Sequence, residues 1–399
     1  MLFAQFIVTP VAAFATSFSA GSVSLSPSAS STLLDRTLTT PNAQTFGEFG
    51  RSVAVSGNIV VVGAPFESSE GLFQAGHVYM FNVETGALIE TLTSPIAQTS
   101  EWFGWSVAAN GNFVIVGAPY AGHVYMFNVE TGALIRTLTS PNDQFRGFGG
   151  SVAISGNIVA VGASFETVNE RFYAGRVYTF DAETGKLVGT LTSPNPQFFG
   201  AFGVSVSVRG SILVVGAPGE AVSGQVGDGA GHVYTFNAET GGLISTLTSP
   251  NAQYVGHFGS SVSVRSNMVA VGAPDETVSG QPRAGHVYTF NAETGALIGT
   301  LTSPNAPSGG EFGGSIATSE NMVIVGASSD GAIGQALTGA VYTFDAKTGE
   351  LIGTLESPNP QSIGGFGFSV DAGGNVVVVG AVGETVDGQS FAGHAYTFD

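Results

Sequence analysis

The chain has no cysteine among its 399 residues and only two lysines, Lys186 and Lys347. The first absence rules out disulfide staples and thiolate metal sites. The second belongs to a wider shortage of cations, with 11 basic residues against 29 acidic ones and a formal charge of −18. So few cations cannot neutralise a phosphate backbone, which argues against nucleic acid and against anionic membrane surfaces. Charged residues of both signs total only 10%, so the exterior must rely on Ser, Thr, Asn and Gln. That composition suits an extracellular or cell-surface protein. No Asn-X-Ser/Thr sequon occurs, and no two aspartates stand at i and i+2. Long apolar runs are missing too. The best candidate, residues 2–15, is interrupted by Pro10 and too short for a confident transmembrane helix.

What the chain does have is repetition. Seven Phe-Gly pairs, beginning at Phe49, Phe103, Phe148, Phe202, Phe258, Phe312 and Phe366, are each followed by a Gly-Ala pair. Their spacings are 54, 45, 54, 56, 54 and 54 residues. A period of this length built from short strands is the signature of a propeller array, in which each unit must bury its faces against its neighbours. Each unit reads as four strands, exemplified by residues 49–55, 59–62, 76–81 and 88–92. An Asn-or-Asp turn ending in Thr-Gly, such as Asn82-Val83-Glu84-Thr85-Gly86, joins the last two. The fold class is therefore all-β, a seven-bladed propeller of four-stranded antiparallel blades spanning residues 31–399.

The Thr-Gly turn occurs six times, and the chain ends after a third strand, at Tyr396-Thr397-Phe398-Asp399. Residues 34–39 meanwhile match fourth-strand text such as Leu134-Ile135-Arg136-Thr137-Leu138-Thr139. The N-terminal strand is expected to complete the last blade by pairing with residues 393–398, leaving no blade short of its outer strand. Residues 1–30 precede the repeats as a separate apolar segment without charge. It reads either as a signal remnant, with Ala13-Phe14-Ala15 as a cleavage site, or as an assembly strand that docks on another copy through Phe3, Phe6, Ile7, Val8, Val11, Phe14 and Phe18.

Phe-Gly, then Gly-Ala-Pro (intact at Gly63, Gly117, Gly216 and Gly272), then Gly-X-Val-Tyr-X-Phe resembles the FG-GAP repeat of integrin α-subunit β-propellers and their prokaryotic relatives. The resemblance covers residues 46–398. It implies extracellular placement and a role in adhesion or recognition. One implied feature does not carry over: several integrin blades hold calcium in an aspartate-rich turn, and here the matching turns are Ser155-Gly156-Asn157 and Arg209-Gly210-Ser211. No cofactor is expected, and calcium only through some other arrangement.

Three groups of side chains are candidates for function. A carboxylate stands two residues after Gly-Ala-X in every blade but the second: Glu67, Glu166, Glu220, Glu276, Asp330 and Glu384. These could form a binding rim, or cap their own loops and face water. The second blade has only Tyr120-Ala121 between its middle strands and carries both tryptophans, Trp102 and Trp105, a notch lined with residue types enriched at binding hot spots. Five third-strand histidines, His77, His123, His232, His286 and His394, are too far apart on separate sheets to share a metal, and Arg176 and Ala340 replace them in two blades without evident compensation. No elbow, zinc-helix or phosphate-loop motif is present, so no catalytic residue is assigned. The leading expectation is a non-catalytic surface propeller whose partner is a protein, a glycan or another copy of itself. The alternatives are a filament or layer subunit polymerising through residues 1–30, and a secreted hydrolase or lyase with its site in the central funnel.

Overall fold

The structure is a computed structural model that describes residues 36–142, 147–222, 229–331 and 337–399. Residues 1–30, with the assembly candidates Phe3, Phe6, Ile7, Val8, Val11, Phe14 and Phe18, lie outside the described residues, as do residues 34 and 35 of the expected closing strand. Seven four-stranded antiparallel sheets follow one another. Blade one comprises Ser52–Ser56, Ile59–Ala64, His77–Asn82 and Leu88–Leu92. Blade seven takes three strands from Phe366–Gly373, Val376–Ala381 and His394–Phe398. Its fourth is Arg36–Thr39 from the other end of the chain, paired so that Leu38 faces Ala395 and Thr39 faces His394. The propeller is closed as expected.

The second strand of each blade is a buried apolar run, and the third sets Tyr and Phe alternately with Val and Met or Thr, buried on both faces. Each core cluster draws on two neighbouring sheets. One joins Val61, Met80 and Leu92 of blade one to Phe103, Val114 and Phe127 of blade two. Another joins Leu38, Val378 and Ala395 of blade seven to Phe49, Val60 and Phe81 of blade one. The core is therefore a set of interfaces between blades, which is why no single blade is self-sufficient.

The repeat motif is explained by these interfaces. In blade one the first strand begins later than its Phe-Gly pair, at Ser52, past Gly50 at φ +90°, whereas in blade seven it begins at Phe366 and takes the pair in as a bulge. The Gly of Gly-Ala in one blade lies against the Phe-Gly glycine of the next. A Cβ on Gly63 would stand 2.1 Å from the carbonyl oxygen of Gly104, and one on Gly380 1.9 Å from that of Gly50. The serine two positions beyond each Phe-Gly pair then donates to the same carbonyl, Ser52 to Gly104 at 2.8 Å and Ser369 to Gly50 at 2.7 Å. The seam between blades seven and one thus repeats the other junctions. It adds Asp371, which accepts the Val55 N–H at 2.8 Å and whose pKa burial pushes up to about 6.

Candidate functional site

The six expected carboxylates are interior groups. Glu67, Glu166, Glu220, Glu276 and Glu384 are 0% exposed and Asp330 1%. They neither form an open rim nor face water. Each accepts the hydroxyl of the third-strand tyrosine of its own blade. Tyr79 donates to Glu67 at 2.5 Å, Tyr178 to Glu166 at 2.7 Å, Tyr234 to Glu220 at 2.5 Å and Tyr288 to Glu276 at 2.6 Å. Tyr342 donates to Asp330 and Tyr396 to Glu384, both at 2.5 Å. A second donor comes from just beyond the outer strand of the preceding blade: Thr40 to Glu67 at 2.6 Å, Ser249 to Glu276 and Ser357 to Glu384 at 2.5 Å. The carboxylate therefore staples one blade to the next. Burial, reinforced by the carboxylate, raises all these tyrosine pKa values, that of Tyr178 to about 12. Burial also pushes Glu220 up to about 7 against its Ser193 and Tyr234 partners.

Blade two makes the same staple from a different place in the chain. Tyr125 donates to Glu101 at 2.7 Å and Ser94 donates to it at 2.8 Å, and Glu101 is 1% exposed. Glu101 stands two residues before Phe103-Gly104. The matching residues in other blades include Gly47, Gly200 and Gly256, where a Cβ would lie 3.0 Å from the Cγ of Glu67, Glu220 and Glu276. The two positions share one space, so the carboxylate enters from either side. A glutamate replacing a glycine there was the one signal in the sequence for this residue.

Four of the five third-strand histidines lie beside the staples. Nδ1 of His77, His232, His286 and His394 lies 3.1, 3.4, 2.8 and 2.8 Å from the carboxylate of its own blade. One of the two substitutions at this position is compensated: Arg176 Nη1 takes the histidine's place 3.1 Å from Glu166, whereas Ala340 offers Asp330 no polar group. Among the described residues no three His, Cys, Asp or Glu side chains converge to hold a metal ion.

Beside these staples lies a rim built from three positions per blade: the residue before Phe-Gly, the residue after it, and the residue that follows Gly-Ala-X. In blade two all three are aromatic, and blade one adds Phe66 beside Glu48 and Arg51. Trp102 and Trp105 stack with ring centroids 4.9 Å apart, and Tyr120 lies 3.8 Å from Trp102. Phe66 meets both tryptophans edge-on at 5.1 and 6.1 Å. Arg51, held 2.5 Å from Glu48, places its guanidinium 3.8 Å over Trp105 and 5.3 Å from Phe368 of blade seven. The notch expected at Trp102, Trp105 and Tyr120 is thus one connected aromatic group. Phe66, Arg51 and Phe368 join it from neighbouring blades, which no local motif announced. In blades five and six the same positions hold His257, Ser260 and Asp275, then Glu311, Gly314 and Ser329, and Arg283 joins them from the loop before the third strand of blade five. His257 Nδ1 lies 2.6 Å from Asp275, Arg283 Nε donates to Asp275 at 2.7 Å and pairs with Glu311, and Ser329 donates to Glu311 at 3.1 Å.

Four stretches match the family model of the FG-GAP repeat, residues 34–81, 88–133, 242–290 and 297–344. Each begins at the outer strand of one blade and runs into the third strand or the Thr-Gly turn of the next. No curated protein matches the chain.

Proposed function

We propose that this chain, which carries FG-GAP repeats in a closed seven-bladed ring, is a non-catalytic recognition module that works at a cell surface or outside the cell. The observation that carries the reading is the aromatic rim, where Trp102, Trp105 and Tyr120 meet Phe66 and Arg51 in one connected surface with Tyr120 58% exposed. Rigid aromatic anchors with a single ordered arginine are the side chains that dominate binding energy at interfaces. The carboxylates repeated from blade to blade are sealed beneath tyrosine hydroxyls, which supports the non-catalytic reading for that ring of groups. FG-GAP repeats, and an exterior with few charges, favour the extracellular placement.

The test is a binding screen of the immobilised full chain against matrix-type proteins and oligosaccharides, repeated with Trp102→Ala/Tyr120→Ala. A ligand whose affinity falls about tenfold or more in the variant supports the reading, since losing two hot-spot aromatics costs at least about 1.4 kcal/mol. Ligands that bind both forms equally would move the site elsewhere, and hydrolytic turnover of any probe would overturn it.

A further inference from the structure

We propose that the seam between blades seven and one is a pH-sensitive latch, which holds the ring shut in acid and loosens towards neutral pH. The seam is formed by the first strands of the two blades, Phe366–Gly373 and Ser52–Ser56. Val55 donates its N–H to the carboxyl of Asp371 at 2.8 Å. Gly373 approaches the same residue so closely that a Cβ on it would stand 3.2 Å from the Val55 carbonyl oxygen. The position of Asp371, five residues beyond the Phe of Phe-Gly, holds alanine in four of the other blades and serine in two, Ser207 and Ser263. A carboxyl group stands there only in the seam. Where blades four and five meet, the hydroxyl of Ser207 accepts the Val264 N–H at 3.1 Å, the same bond with an acceptor that does not titrate.

The Asp371 bond has little support around it. In the third strand of blade four, Thr235 donates its hydroxyl to the Ala292 carbonyl of blade five at 3.3 Å. The matching hydroxyl in the seam, that of Thr397, is enclosed and has no partner among the described residues. Beside it lies a cavity of about 360 Å³, lined by Gly57, Asn58 and Val83 of blade one and by Gly374, Asn375 and Thr397 of blade seven. A void and an unpaired hydroxyl both forfeit contact energy. The link through Asp371 therefore weighs more in the seam than its counterpart does at Ser207.

Whether the latch is set depends on the charge of Asp371. A neutral carboxyl accepts the Val55 N–H at little cost, whereas a carboxylate enclosed between strands needs a cation or several donors. The strands packed against Phe366–Gly373 supply no cation. Val376–Ala381, Ser52–Ser56, Ser315–Thr318 and Met322–Ala327 carry no titratable side chain. Ala340–Asp345 brings Tyr342, whose hydroxyl is tied to Asp330, and Asp345, whose carboxylate is held by the N–H groups of Lys347 and Thr348. Arg51, just ahead of Ser52, is engaged by Glu48 and Trp105. Burial therefore outweighs the Val55 and Ala372 N–H groups and pushes the Asp371 pKa from its ordinary 3.8 up to about 6. Because the folded value lies above the unfolded one, the stability that Asp371 lends the seam is complete below pH 3.8 and is lost as pH rises through 6.

The experiment is amide hydrogen exchange of the full chain, read by NMR at Val55 and Val264 between about pH 5 and 8 and corrected for the intrinsic pH dependence of exchange. Protection at Val55 is expected to fall about tenfold or more across that range, since a shift of about two units allows up to about a hundredfold change in local opening. Asp371→Asn and Asp371→Ser, neutral at every pH, should each flatten the Val55 profile and leave that of Val264 as in the parent. Serine is what blade four carries at this position, so the second variant serves where the first fails to fold. A Val55 profile that is flat or rises with pH in the parent would overturn the proposal. So would a slope that persists in the variants, or a variant effect of equal size at Val264.

Discussion

Two arcs of the same rim share a backbone and differ in everything attached to it. Trp102 in blade two and His257 and Glu311 in blades five and six all take left-handed φ, at +59°, +51° and +56°. Each donates its N–H to the loop of the preceding blade, to Gln74, Gly229 and Arg283 respectively. Yet one arc is a stack of rings around Arg51, and the other a chain of ion pairs through Asp275 and Arg283. The ring imposes backbone geometry at every blade and leaves the rim side chains free. Below the rim the opposite holds: the staple keeps its chemistry even where, as at Glu101, its residue moves.

The hardest test of that contrast is to attack the shared frame. Gly216→Val should destabilise the chain by about 4 kcal/mol or more, or prevent folding, because a Cβ there lies 2.0 Å from the Gly259 carbonyl oxygen. Chemical denaturation reads this, and a near-normal midpoint would mean the junctions are not the frame. Next come the staples. Glu101→Ala and Glu276→Ala should each cost about 2–3 kcal/mol, since each leaves a buried tyrosine hydroxyl and serine without their acceptor. The comparison is sharpened if the two losses agree and broken if Glu101 is dispensable.

Glu220 gives its staple a pH dependence. Its folded pKa of about 7 lies above the unfolded value, so the stability it contributes is present below about pH 4.5 and is lost as pH rises through 7. Glu220→Gln should therefore flatten the fall in denaturation midpoint between pH 5 and 8, a difference on the order of 1–3 kcal/mol. A steeper fall in the variant would reverse the assignment. The smallest effect belongs to the polar arc. Asp275→Asn should cost about 1 kcal/mol or less, and that cost should shrink in high salt, because Arg283 is 58% exposed. Trp105→Ala, by contrast, should show no salt dependence.

The architecture was legible because the interfaces repeat. Phe-Gly, Gly-Ala and the serine after Phe-Gly meet at each junction, so their spacing encodes the ring. The closing strand was legible for the same reason, as fourth-strand text found at the wrong end. The staples were half legible: the carboxylates stand out as a ring, but burial depends on a tyrosine two strands' length away and a serine from another blade. Glu101 escaped because it occupies the staple from the opposite side of Phe103. The rim was least legible, since Arg51 and Phe66 touch Trp105, and Phe368 touches Arg51, from sites remote in sequence.

The matched repeats are out of phase with the sheets by one strand: residues 34–81 and 88–133 each begin on an outer strand and cross into the next blade. At the level of the gene, this means that unequal recombination cannot add or remove a blade as such. Gaining or losing one 54-residue unit hands an outer strand from one sheet to another, yet every sheet still counts four strands. Whatever the copy number, the N-terminal strand always finds the last sheet waiting for it.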